Sequence, residues 1–252
     1  MNAMAIIVKS SGEIELMRQA GRIAAGARSI ARQMVEPGVS TKAINKEVFH
    51  FIKKSGAEPT FLGYCGYPAS VCISVNDQVI HGIPGSRRLQ EGDIVSLDAG
   101  LIYKGYHSDA ARTHAVGKVS PEVQKLMDVT REALEAGIAA AVCGNYIRDI
   151  SAAIQKVAKK NGIAVVRDFV GHGCGVKLHE PPEVPNYVTP LRGPRLQPGM
   201  VLAIEPMFNL GTYKVYVESN QWTVRTRDGR NSAHFEHMVL ITTEQPEVLT
   251  RA

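Results

Sequence analysis

Two aspartates, Asp98 and Asp109, bracket the segment Ala-Gly-Leu-Ile-Tyr-Lys-Gly-Tyr-His-Ser, in which Lys104-Gly105 is placed to turn the chain. Glycine accepts the positive φ that a two-residue hairpin turn requires. With Tyr103 paired to Tyr106, Asp98 faces Ala111 and Asp109 faces Gly100, so the carboxylates become diagonal neighbours on one face. A bulge between Gly100 and Ser108 would alter that register. Two carboxylates so placed repel each other, and a low-dielectric surrounding lifts at least one pKa, so a cation is expected between them. A metal ion meets that need.

The second half of the chain carries two more acids in apolar surroundings, Glu205 in Ala-Ile-Glu-Pro-Met and Glu236 in His-Phe-Glu-His-Met. A surface salt bridge would account for either one alone. Buried and ionised, each requires a partner. Between them lies Gly171-His172-Gly173-Cys174-Gly175, which places a histidine at a strand end among glycines that permit close approach. Asp98, Asp109, His172, Glu205 and Glu236 together form an oxygen-rich set that suits two divalent ions such as manganese, iron or cobalt better than a thiolate-rich zinc site does. Bridging carboxylates would hold such ions roughly 3.5–4 Å apart with room for a shared hydroxide.

The elements that position these residues recur in order. Apolar residues at Ile14, Met17, Ile23, Ala27, Ile30 and Met34 predict a helix over 13–34, stopped by Pro37-Gly38. Ser40 or Thr41 caps a second helix through Val48, Phe51 and Ile52, ending near Gly56. Strands are expected at 71–75, 79–81 and through a hairpin over 94–116. A new helix pair then begins at Ser120-Pro121 and runs to about 143, followed by 147–160 with Gly162 behind it. Further strands are expected at 164–170, 200–205, 213–217, 222–226 and 234–241, with a proline-rich loop over 181–198. Helix, helix, then strands in each of two halves, about 13–117 and 118–252, describes an α+β architecture with approximate two-fold symmetry within one domain, 1–252.

The motifs Ser-Leu-Asp-Ala-Gly, His-Ser-Asp-Ala-Ala-Arg-Thr, Gly-His-Gly-Cys-Gly, Ala-Ile-Glu-Pro and Phe-Glu-His, in that order, resemble the type I methionine aminopeptidases over nearly the whole chain. The resemblance implies the pita-bread fold, an antiparallel sheet flanked by two helix pairs. It also implies removal of the initiator methionine from nascent polypeptides, favouring a small second residue, with two divalent ions (cobalt, manganese, iron or zinc). Carried over by position, Asp98 chelates one ion near the substrate amine, Asp109 and Glu236 bridge, and His172 and Glu205 bind the other. Glu205 relays the proton of an attacking hydroxide. His179 then stabilises the tetrahedral intermediate, and His81 contacts the substrate near the scissile amide. Tyr64, Tyr67, Cys72 and Trp222, with Phe61 and Leu178 beside them, would line a methionine pocket. An apolar and aromatic wall suits a thioether, although these residues would otherwise read as ordinary core. A monovalent cation, sodium or potassium, is implied near the backbone of Asn76, Gln78 and Ser232.

With 252 residues, 44% of them hydrophobic, the chain can bury a sizeable core. The net charge of +5 is scattered in small clusters such as Arg87-Arg88 and Lys159-Lys160, which read as solvated surface. Transient ribosome association is therefore the nucleic-acid role considered, with no specific nucleic-acid partner. The four cysteines lack Cys-x-x-Cys spacing and read as reduced thiols in a cytoplasmic protein. The apolar run at 3–8 is too short for a signal-peptide core, and no membrane span is expected. Met1-Asn2-Ala3 ahead of Met4 leaves the native start open. Family habit and the lack of an exposed apolar helix favour a monomer.

Rival readings account for fewer residues. His107-x-Asp109 fits the facial triad of iron(II) oxygenases, but leaves Asp98, Glu205 and Glu236 unused. An X-Pro aminopeptidase would share the five ligands, usually with an additional N-terminal domain. A type II methionine aminopeptidase would carry a long helical insertion, for which 179–205 is too short. A non-catalytic binding module of this fold would have lost ligands. His107, His234 and His237 are read as supporting the site from behind its ligands.

Overall fold

The computed structural model describes residues 6–251; the Met1-to-Met4 start and part of the 3–8 run fall outside the described residues. Helices α1 (Ser11–Gln33) and α2 (Thr41–Lys54) precede β1 (Glu58–Pro59), β2 (Cys72–Val75), β3 (Gln78–Ile80), β4 (Ile94–Asp98), β5 (Leu101–Tyr103), β6 (Tyr106–Ser108) and β7 (Ala111–Ala115). The order then repeats with α3 (Pro121–Ala140) and α4 (Ile147–Asn161), followed by β8 (Ala164–Val165), β9 (Gly171–Gly173), β10 (Glu180–Val184), β11 (Val201–Ile204) and β12 (Met207–Asn209). The last strands are β13 (Val215–Val217), β14 (Val224–Thr226), β15 (Ser232–His234), β16 (His237–Leu240) and β17 (Glu247–Val248).

Each helix starts where its sequence supplies a cap. Ser10 accepts from the Glu13 N–H while Glu13 accepts from the Ser10 N–H, a reciprocal capping box. Ser40 caps α2, Ser120 with Pro121 opens α3, and Gly162 ends α4 in the left-handed conformation. The buried stripe of α1 differs from the expected one. Ile14, Ile23 and Ile30 are only partly buried, while Ala20, Ala24, Ala27, Ala31, Met17 and Arg28 face inward. Short side chains let the α1 backbone lie close against the sheets, and the larger residues cover the flanks.

Two cores correspond to the two halves. Ala20, Ala24, Ile44, Val48 and Ile52 of the first helix pair pack on Ile73, Val95, Leu97 and Leu101. Leu126, Leu134, Ile150 and Ile154 of the second pair pack on Leu202, Ile204, Phe208 and Val239. Every strand pairing is antiparallel, with orders β2-β4-β7, β1-β5-β6, β10-β9-β11-β16-β17, β15-β12-β8 and β13-β14-β3. The β14–β3 pair crosses from one half to the other. So does a clamp at β7 and β15: the Thr113 hydroxyl donates to the His234 carbonyl (2.9 Å) and accepts from the His234 N–H (2.8 Å).

Four expected elements are corrected. Residues 180–184, expected within a loop, form β10, and its prolines are accommodated because β10 is the outermost strand of its sheet. The run over 234–241 is broken at Phe235-Glu236 into β15 and β16, which join different sheets. The run over 164–170 shortens to Ala164–Val165, and α3 ends at Ala140. No helix among the described residues is long and apolar enough to cross a membrane.

Candidate active site

The hairpin register is the expected one. Tyr103 pairs with Tyr106 and Asp98 with Ala111, and the Ala99 N–H donates to the Ala110 carbonyl, so no residue is inserted on either strand. Lys104 and Gly105 both have positive φ, 48° and 87°, as a two-residue turn requires. Glu236 is brought to this pair by the other half: its N–H donates at 2.9 Å to the carbonyl of Ala111, the strand partner of Asp98. The break that separates β15 from β16 is what frees Glu236 to turn inward.

His172 sits in the middle of β9 rather than at a strand end. Its flanking glycines are required by close approach: a Cβ on Gly171 would lie 2.3 Å from the Ala203 carbonyl oxygen, and one on Gly173 would lie 2.4 Å from that of Pro181. The His172 ring is oriented by Nδ1, 2.8 Å from the Gly173 carbonyl oxygen. A carbonyl only accepts, so Nδ1 carries the proton and Nε2 keeps its lone pair. Nε2 lies 3.6 Å from Glu205 Oε1, and His234 Nε2 lies 3.6 Å from Glu205 Oε2. Asn186 Nδ2 donates to the Glu205 carbonyl, holding the end of β11 in place.

Donor atoms of Asp109, His172 and Glu236 all lie within 4.8 Å of one another, and all three residues are buried. Asp98 Oδ1, Asp109 Oδ1 and Glu236 Oε1 are buried with no hydrogen-bond partner among the described residues. Burial, with mutual repulsion added, raises Asp98, Glu205 and Glu236 well above the usual carboxylate range. Burial pushes Asp109 up to about 7, and burial lowers His172 to about 4, keeping the imidazole neutral. Orphaned oxygens aimed at a common point beside a neutral imidazole lone pair are what divalent cations would satisfy. The residues therefore fit a metal centre.

One cavity of about 120 Å³ joins this cluster to the rest of the expected site. Phe61, Tyr64, Tyr67, Cys72, Leu178, Trp222, His81 and His179 line it together with Asp98, Asp109, His172, Glu205 and Glu236. Tyr67 stands edge-on to Trp222 at 5.1 Å and to Phe61 at 6.5 Å, an aromatic arrangement favoured by ring quadrupoles. The Tyr67 hydroxyl donates to the Gly82 carbonyl, so its ring is fixed. His179 packs edge-on to His172 with centroids 4.3 Å apart, and its Nδ1 lies 2.9 Å from the Tyr64 hydroxyl. His81 adopts a left-handed backbone, φ 57°, and burial lowers its pKa to about 4.

Other expected residues lie outside the cavity. The Ser232 N–H donates to the Asn76 carbonyl at 2.9 Å, and the Gln78 side chain accepts from the Val75 N–H, which gathers these segments of the two halves outside the cavity lining. His107 is held by Thr60 and His237 by Thr250, both away from the carboxylates, whereas His234 reaches Glu205. Two contributors had no clear signal in the sequence. Phe169 stands edge-on to His81 at 5.9 Å. Lys9 forms a fully buried ion pair with Glu180 at 2.5 Å, and the other Glu180 oxygen accepts from the Lys177 N–H, fixing the turn that carries Leu178 and His179. Lys9→Met is expected to destabilise the fold by about 3–5 kcal/mol, because it leaves a buried carboxylate unpaired. Denaturant midpoints measure this; a loss below about 1 kcal/mol would show that the pair holds nothing in place.

The model of metallopeptidase family M24 matches residues 15–243. A methionine aminopeptidase from Clostridium perfringens is 52% identical, covering 97% of this chain and 98% of its own. Methionine aminopeptidase 1 from Bacillus subtilis is 48% identical over 98% and 99%. The crystal structure of methionine aminopeptidase from Rickettsia prowazekii superposes with a TM-score of 0.96 at 37% identity, covering 98% of this chain and 100% of that one. With its antiparallel sheets, two helix pairs and buried carboxylate–histidine cluster, this chain belongs to metallopeptidase family M24 and, within it, to the methionine aminopeptidases.

Proposed function

We propose that this enzyme removes the initiator methionine from nascent polypeptides, favours a small second residue, and holds two divalent ions on Asp98, Asp109, His172, Glu205 and Glu236. The reading rests on one juxtaposition: an apolar wall of Phe61, Tyr67, Cys72, Leu178 and Trp222 abuts the carboxylate cluster within a single cavity. A methionine side chain against that wall brings the free amine and first carbonyl to the acids. Bound divalent ions would polarise the scissile carbonyl and lower the pKa of water toward neutrality.

The protein's own groups position and move protons. Glu205, between two imidazoles, takes the proton of the attacking water and delivers it to the leaving amine. With the Tyr64 hydroxyl donating to Nδ1, His179 carries its proton on Nε2 and donates to the oxygen that becomes negative. Asp98 accepts from the substrate amine. His81, fixed between Phe169 and Trp222, meets the chain beyond the scissile bond. A sodium or potassium ion near Asn76, Gln78 and Ser232 would brace the segments that carry them.

The deciding experiment is methionine release from Met-Ala-Ser with and without chelator, followed by addition of manganese, iron, cobalt or zinc. Release should vanish with chelator and return with at least one metal. Second-residue choice follows from crowding: His81 and His179 line both the cavity and the groove leading out of it. Met-Ala and Met-Gly peptides should therefore be cleaved at least about 100-fold better, in kcat/KM, than Met-Phe or Met-Lys, roughly 3 kcal/mol of discrimination. Comparable rates for Met-Phe would remove this account of specificity.

A further inference from the structure

Behind the catalytic cavity, on the opposite face of the 235–237 segment, lies a second cavity of about 380 Å³. The alternation of side chains places Glu236 in the front cavity and Phe235 and His237 in the rear one. Four arginines line the rear cavity, Arg28, Arg112, Arg131 and Arg251, against a single acid, Glu135. That acid is already taken, since both its oxygens accept from Arg251 Nη2. Arg131 reaches Asp128 on the exposed face of α3, where such a pair contributes little.

Arg28 is the unusual member. It lies on the buried stripe of α1 and is only 8% exposed, yet among the described residues it makes a single hydrogen bond, from Nη2 to the Thr250 carbonyl at 3.1 Å. No carboxylate lies within ion-pairing distance of Arg28, Arg32 or Arg112 among the described residues. A smaller pocket of about 100 Å³, lined by Arg28, Arg32, Arg112 and His114, adjoins on the same side. A buried guanidinium with most of its donors unused is costly unless a counter-charge reaches it. Burial, followed by the Arg112 charge, accordingly lowers Arg28 to about 10, with Glu236 opposing from the front cavity.

We propose that this rear cavity is an anion site that takes a phosphate dianion, free or as a monoester, on Arg28, Arg112 and Arg131. Guanidinium forks match the oxygens of phosphate in paired, charge-assisted hydrogen bonds. Two negative charges fit three guanidiniums, of which Arg131 alone has a carboxylate partner and that one on the exposed face of α3, better than the single charge of a carboxylate does. The occupant would sit behind Glu236, separated from the substrate by one strand segment.

Isothermal titration calorimetry of the metal-loaded protein, freed of excess metal and at fixed ionic strength, tests this with inorganic phosphate and adenosine monophosphate as probes. At least one should bind, roughly tenfold or more weaker in Arg112→Ala/Arg131→Ala. Both arginines are exposed enough for the variant to fold. Binding should be unchanged in Lys159→Ala/Lys160→Ala, which removes the same charge from a distant helix. Phosphate alone binding identifies the free ion, and tighter binding of the monophosphate identifies the ester. Absence of binding by both, or equal binding by the arginine and lysine variants, would overturn the site; the latter would place any phosphate on the metals or on general surface charge.

Discussion

Glu205→Gln is expected to lower kcat for methionine release by about 10³-fold or more while the protein stays folded. General acid–base transfer is ordinarily worth about 10²–10⁴-fold, and the substitution also removes one proposed metal ligand. Glutamine keeps the volume, and the Asn186 bond to the residue 205 carbonyl does not depend on the side chain, so the end of β11 should hold its place. In metal-free protein the variant should be more stable than the parent, because a carboxyl raised well above its usual range by burial and by Asp109 is replaced with a neutral amide. Peptide kinetics with saturating metal and a thermal melt of both metal-free proteins check the two halves of the result. A variant keeping more than about a tenth of the parent kcat would end the assignment of Glu205 as proton carrier.

Removal of metal should make stability fall as pH rises from about 6.5 through about 7, where the raised Asp109 carboxyl ionises, and restored metal should flatten that dependence. Burial pushes Asp109 up to about 7 and raises Asp98, Glu205 and Glu236 well above the carboxylate range. In this window the folded metal-free protein binds protons that the unfolded chain has lost, so unfolding releases protons and stability declines with pH. Each group titrating there contributes a slope of up to about 1.4 kcal/mol per pH unit. His172 and His81, lowered to about 4, are neutral in the folded state and largely so in the unfolded state above pH 6.5, so they do not mask the effect. Bound cations replace the protons and hold the carboxylates ionised. Melting temperatures of chelated and metal-loaded protein across this window measure the difference, which should widen with pH. Parallel curves would mean that the buried carboxylates are neutralised by something other than metal.

The candidate donors are legible in the sequence because each carries a local signal. Asp98 and Asp109 are linked by a hairpin whose turn residues set the register from sequence alone, and that register holds from Tyr103–Tyr106 to Asp98–Ala111. Glu205 and Glu236 stood out as acids in apolar runs. The misplaced elements were those decided at a distance. Pro181 and Pro182 read as a loop, yet an outermost strand has a side that pairs with nothing, where a missing N–H costs nothing. The isoleucines of α1 read as its inner face, yet most of the buried positions are alanines, whose short side chains permit the approach that the sheets require.

The donor types, their order along the chain, the helix pairs and their caps, and the Asp98–Asp109 hairpin are all written in short stretches of the chain. These follow from local periodicity and turn chemistry, which act over a few residues. Only the tertiary structure decided how the halves meet: the Thr113–His234 clamp, the Glu236 N–H on the Ala111 carbonyl, and the break at Phe235-Glu236 that turns one side chain forward and its neighbours back. Lys9 on Glu180, and Arg28 facing a cavity with no carboxylate within ion-pairing distance among the described residues, belong to the same class. Residues 171 and 129 positions apart, such as Lys9 with Glu180 and Asp109 with Met238, meet only after both cores have packed, so no short stretch of sequence contains their contact.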